Sequence, residues 1–141
     1  MKITKQLLGE DPNLEGSYIV KFLYKNKDLE LSLNPDDVDL EETISLANKI
    51  LSDIERYESK ARNQIVKDFL DNYNENWSDA EEGYPILSEE QFKSNLSLNG
   101  IHFLGNTNID FFYEENGMFG NHSLIANSND GENFDSSSMF G

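Results

Sequence analysis

An apolar stripe that runs unbroken from Leu40 to Tyr73 constrains this chain more than any other feature. Leu40, Ile44, Ala47, Leu51, Ile54, Ala61, Ile65, Phe69 and Tyr73 recur every three or four residues, with Ile50, Tyr57 and Val66 widening the face. That period belongs to an amphipathic helix with one buried side. Asp39 before the stripe and Glu42 three residues later make a capping box, and Glu41 adds charge suited to the positive end of the helix dipole. One straight helix over 40–75 would be about 50 Å long at ~1.5 Å per residue. A globule of 141 residues is narrower than that. The stripe therefore predicts a long helix bent or broken near Glu58 and Ser59, or a projecting tail that packs on a second copy as a homodimer.

The segments on either side of the stripe alternate with a period of two. Tyr18, Val20, Phe22 and Tyr24 interleave with Ile19, Lys21, Leu23 and Lys25, and Leu29, Leu31 and Leu33 interleave with Asp28, Glu30 and Ser32. This is a hairpin pattern, with its turn expected at Asn26 and Lys27 and its end at Asn34 and Pro35. The first strand is apolar on both faces, which predicts that it lies inward of the second. Beyond the stripe, the segment around Trp77, Tyr84 and Pro85 reads as a long loop, and Ser88 with Gln91 opens a short helix. Leu98–Leu104, Ile109–Glu115 and Phe119–Asn127 then read as a three-stranded meander, its second turn marked by Asn116 and Gly117. The fold class is α+β: an antiparallel sheet with an N-terminal hairpin, one long helix, a short helix and a C-terminal meander. Residues 1–141 form a single domain, with 1–13 and 128–141 free to fray, although Phe134, Met139 and Phe140 could hold the tail down.

Charge narrows the range of partners. The 27 acidic residues against 11 basic ones give a net charge of −16, and the excess is uneven. Up to Lys67 the net is −3, whereas residues 68–141 carry 14 acids and the single base Lys93. Such a field repels phosphate backbones and anionic lipid, so nucleic-acid and membrane partners are not expected, while a basic protein is attracted. With no cysteine, thiolate catalysis and zinc or iron–sulfur sites built on cysteine sulfur are excluded. No secretory leader or membrane-spanning stretch is visible, which makes a soluble cytoplasmic protein the expectation.

Candidate chemistry is sparse. His102 and His122 fall on expected strands, where one of them could join Asp110, Glu114 or Glu115 in a site that holds a divalent metal or moves a proton. The acid pairs at Glu41 and Glu42 and at Glu89 and Glu90 are accounted for as first-turn helix residues. A calcium loop is ruled out, because placing Gly131 at its sixth position puts Ala126 where a carboxylate is needed. Phosphate-binding glycine loops, nucleophile elbows and zinc-protease motifs are missing, so no cofactor and no metal are expected and enzymatic activity is disfavoured. The remaining candidates form an aromatic and acidic group for protein binding: Trp77, Tyr84, Glu81 and Glu82.

Four stretches, "LELSLNPDD", "ARNQIVKDFLDNYNENW", "LSEEQFKSNLSL" and "FFYEENGMFGNHSLIA", resemble an uncharacterised bacterial family of small acidic α+β proteins over about residues 14–132. In that family the last segment carries an aromatic, a glycine and a histidine before an aliphatic strand. Phe119, Gly120 and His122 match this pattern with Asn121 interposed. The resemblance implies an α+β fold and draws attention to His122 and Trp77, but it implies no activity. Three functions follow as expectations. The leading one is a small interaction protein of the immunity or inhibitor type whose acidic face steers a basic partner; the others are a metal-dependent enzyme built on the histidines and carboxylates, and a structural domain that oligomerises through the long helix.

Overall fold

The computed structural model describes residues 2–141. Its single sheet has seven strands lying side by side in chain order: β1 (Gly9–Glu10), β2 (Tyr18–Tyr24), β3 (Lys27–Asn34), β4 (Ser97–Leu104), β5 (Asn108–Glu114), β6 (Ser123–Ser128) and β7 (Ser136–Phe140). All neighbours are antiparallel except β3 and β4. A parallel pair needs a crossover, and here the crossover holds three helices: α1 (Leu40–Leu51), α2 (Ile54–Asn72) and α3 (Glu89–Ser94). The result is the α+β architecture read from the sequence, with helices on one face of a mostly antiparallel sheet.

The β2–β3 hairpin turns at Lys25 and Asn26, one residue earlier than expected. Both have positive φ, at 50° and 63°, the two-residue turn whose twist matches paired strands. The strand order within the sheet also corrects the sequence reading, because β3 is the inner strand and β2 lies nearer the edge. Leu29, Leu31 and Leu33 of β3 are fully buried, whereas Leu23 of β2 is 66% exposed. A strand that buries one clean face under helices is better suited to the centre of a one-sided sheet than a strand with apolar residues on both faces. Where β4 runs beside β3, Gly100 lies against the chain: a Cβ there would come 2.8 Å from the Glu30 carbonyl oxygen.

The helical stripe does break, at Ser52 and Asp53 rather than at Glu58 and Ser59. Ser52 Oγ donates to the Lys49 carbonyl at 2.8 Å, and Asp53 receives Arg56 Nε at 2.5 Å, so both sides of the break are locally satisfied. Glu58 sits inside α2, buried, bonded to Arg62 one turn on and accepting the Tyr113 hydroxyl at 2.9 Å. At the start of α1 the Asp39 amide donates to Glu42 Oε2 at 3.3 Å. At the start of α3 Ser88 and Gln91 exchange bonds of 2.9 and 3.2 Å, as their spacing predicts. Tyr57, Ala61, Ile65 and Val66 are buried against the sheet, so α2 spends its apolar stripe on its own chain. The C-terminal meander gains a fourth strand: residues 136–140 return beside β6, with Phe134 buried and Met139 packed on the core. No described helix is long and apolar enough to cross a membrane.

Candidate functional site

The sequence offered two groups, histidines with carboxylates and aromatics with acids, and the fold redistributes them. His102 and Asp110 are cross-strand neighbours on β4 and β5, on the sheet face opposite the helices. The His102 ring lies 4.3 Å from Phe112, and the pair borders a shallow depression with Lys21, Asp28 and Glu30. Desolvation there pushes the imidazole below its ordinary value, while Asp110 and Glu30 pull it back up.

His122 and Glu114 lie elsewhere, in a cavity of about 570 Å³ that they share with Tyr84, Asn99, Asn116 and Asn121. The two histidines therefore do not converge. Among the described residues no group of three or more histidines and acids is placed to hold a metal ion.

The loop from 115 to 122 builds this cavity. Asn116 and Gly117 take the positive φ expected of a turn, at 56° and 81°, but β6 starts only at Ser123 and not at Phe119. The reason lies in Glu115. Its buried carboxylate accepts the Gly117 amide at 2.7 Å and also the Phe119 amide, so the chain curls around it instead of pairing. Phe119 is thereby driven into the core, where Phe69, Tyr73, Trp77 and Phe92 meet it edge to face at 5.4–6.3 Å. His122 follows, its Nδ1 bonded to the Phe119 carbonyl at 2.5 Å and its ring edge-on to Trp77 at 6.3 Å.

The opposite wall comes from the acidic loop. A π-helical turn, Tyr73–Trp77, extends α2 and ends with the Ser78 amide on the Tyr73 carbonyl at 2.8 Å. Asp79 and Tyr84 then pair backbone to backbone around a 3₁₀ turn, Ala80–Glu82, that carries Glu81 and Glu82 into solvent. Asn74 bonds both the amide and the carbonyl of Leu87, and Tyr73 Oη donates to the Pro85 carbonyl at 2.9 Å. The loop is thus tied at its base while its tip remains open. Tyr84 reaches across to the other wall, where its hydroxyl would lie 3.0 Å from a Cβ on Gly117.

Trp77, Tyr84 and Ile86 stand 40%, 38% and 71% exposed on this loop, beside exposed Glu75, Asp79, Glu81 and Glu82. Lys93, the one base of this half, pairs with Glu89 at 3.4 Å and Glu90 at 3.9 Å. It lines a different cavity, with Tyr24, Glu58 and Arg62. That second cluster escaped the sequence reading. Its one visible signal was a Glu58–Arg62 spacing of four on the margin of the stripe.

No curated protein and no solved structure matches this chain. The family model described as "Uncharacterized protein conserved in bacteria (DUF2262)" matches residues 14–139, nearly the whole fold from the first hairpin to the last strand, and the chain belongs to that bacterial family.

Proposed function

We propose that the protein is a binding module of the inhibitor or immunity type, and that loop 75–87 docks on a basic partner protein. One observation carries the reading: Trp77, Tyr84 and Ile86 are exposed on one loop together with Glu75, Asp79, Glu81 and Glu82, in a stretch, 68–92, that contains no lysine or arginine. Aromatic anchors supply contact area on docking. The surrounding acids raise the encounter rate with a positively charged surface and discriminate against acidic ones. The loop is tied down by Asn74 and Tyr73, so little ordering entropy remains to be lost on binding.

The test is the association rate of the full chain with a basic partner recovered on it, measured against ionic strength. The rate should fall steeply with salt, drop at least tenfold in a Glu81→Lys/Glu82→Lys variant, and be followed by faster dissociation in Trp77→Ala. Salt-independent association, or binding indifferent to all three changes, rejects the reading.

A further inference from the structure

The cavity behind the docking loop has a chemistry of its own. Asn99 Nδ2 donates to Glu114 Oε1 at 3.2 Å, Asn116 Nδ2 donates to Asn95 at 2.8 Å, and His122 spends Nδ1 on the Phe119 carbonyl. Tyr84, Asn121 and Ser123 add hydroxyl and amide groups that can accept as well as donate, so acceptors line the whole cavity: the amide oxygens of Asn99, Asn116 and Asn121, the two hydroxyls, the second Glu114 oxygen and, in the neutral ring, His122 Nε2. Among the described residues no lysine or arginine lines the cavity. Glu115, also in the wall, is engaged by the Gly117 and Phe119 amides, which leaves Glu114 as the carboxylate open to a ligand.

We infer that this cavity receives an arginine side chain presented by the basic partner, an assignment that rests on the docking role of loop 75–87. A guanidinium has five donors and no acceptor, which complements one open carboxylate set among neutral groups that can all accept. Its flat fork can engage Glu114 while the plane packs on Tyr84, a combination that the compact ammonium of lysine does not reproduce. Tyr84 belongs both to the exposed patch and to the cavity wall, so a partner seated on the loop is already beside the opening.

Trp77 is the only tryptophan in the chain and lies 6.3 Å from the His122 ring, so its fluorescence reports on the site without a label. Two peptides of glycine and lysine, identical except for a central arginine or its neutral isostere citrulline, are titrated into the full chain. The arginine peptide should bind at least tenfold more tightly, as expected for a charge-assisted bond. That advantage should vanish in Glu114→Gln, while the citrulline peptide binds both proteins equally. Glu114 is exposed at the end of β5, and unchanged circular dichroism verifies that the variant folds. Equal binding of the two peptides to the native chain overturns the arginine assignment and leaves the docking role standing. Failure of both peptides to bind removes both.

Discussion

Replacing Arg62 by alanine should cost more stability than any surface change in this protein, and the reason is visible in what the side chain holds. Its Nε donates to Glu58, which is 7% exposed and shares the same Oε2 with the Tyr113 hydroxyl at 2.9 Å. Its Nη1 donates to the carbonyls of Lys93 and Leu96, each at 2.9 Å, tying α2 to the chain where α3 ends and β4 is about to begin. The guanidinium also lies 5.3 Å from the centre of the Tyr113 ring. Alanine strands a buried carboxylate with one neutral donor and takes a charged donor from two carbonyls, of which Lys93 keeps the Leu96 amide at 3.0 Å. Breaking a buried pair from one side costs about 3–5 kcal/mol, or roughly 10–20 °C of melting temperature for a domain of this size. Urea unfolding followed by circular dichroism measures it. The two side chains are also coupled: in a Glu58→Gln background the same substitution should cost less by at least about 1 kcal/mol, because no buried charge is left behind. A loss below about 1 kcal/mol in the native background, or an equal loss in both, would show that Glu58 is not held by Arg62 and refute the reasoning.

Gly100→Ala places a methyl 2.8 Å from the Glu30 carbonyl oxygen, so the parallel β3–β4 pair must shift; a loss of about 1–3 kcal/mol is expected, and a neutral result in thermal unfolding would contradict the close approach. Asp130 accepts the Asn133 and Glu132 amides, which hold its carboxyl at about 2. A depressed carboxylate stabilises the fold above its unfolded value of roughly 3.9 and loses that contribution as pH falls toward 2. Melting temperature should therefore decline more between pH 4 and 2 in the native chain than in Asp130→Asn, and parallel curves would count against it. For His102, NMR titration should give a midpoint below about 6.5 that rises in Phe112→Ser, since Phe112 packs on the ring. The linked stability is complete above the unfolded value and declines as pH falls through the folded midpoint; an unmoved midpoint would remove Phe112 as a cause of the shift.

Local signals survived into the structure wherever neighbouring residues decide the outcome. Asp39 with Glu42 and Ser88 with Gln91 start helices because the capping partners are three residues apart, and Leu29, Leu31 and Leu33 bury one face because a strand alternates. The misplacements arise where a distant residue decides. The stripe continues through Glu58 because Tyr113, 55 positions away, offers its hydroxyl. β3 moves to the centre because a crossover of three helices delivers β4 to its free edge. The β2–β3 turn shifts by one residue since Tyr24 pairs with Lys27, a register set by the burial of Phe22 and Leu29 together.

The same division explains the site. Trp77, Tyr84, Glu114 and His122 are each recognisable in the sequence as chemistry-bearing residues, but their spacing puts them in two groups, the histidine with acids and the tryptophan with the loop. What joins them is the Glu115 carboxylate turning back on the Gly117 and Phe119 amides. That curl prevents β6 from starting at Phe119, drives the phenyl ring under Trp77 at 5.4 Å and leaves His122 at the mouth of the fold beside the loop. A run of apolar residues after Asn116 and Gly117 reads as a strand until a carboxylate two residues before Gly117 claims the amides that the ladder would have used. The proposed docking surface is therefore a consequence of one buried acid in a strand's place. Glu115→Gln weakens the curl without removing its shape, and should lower Trp77 burial together with binding of the proposed basic partner.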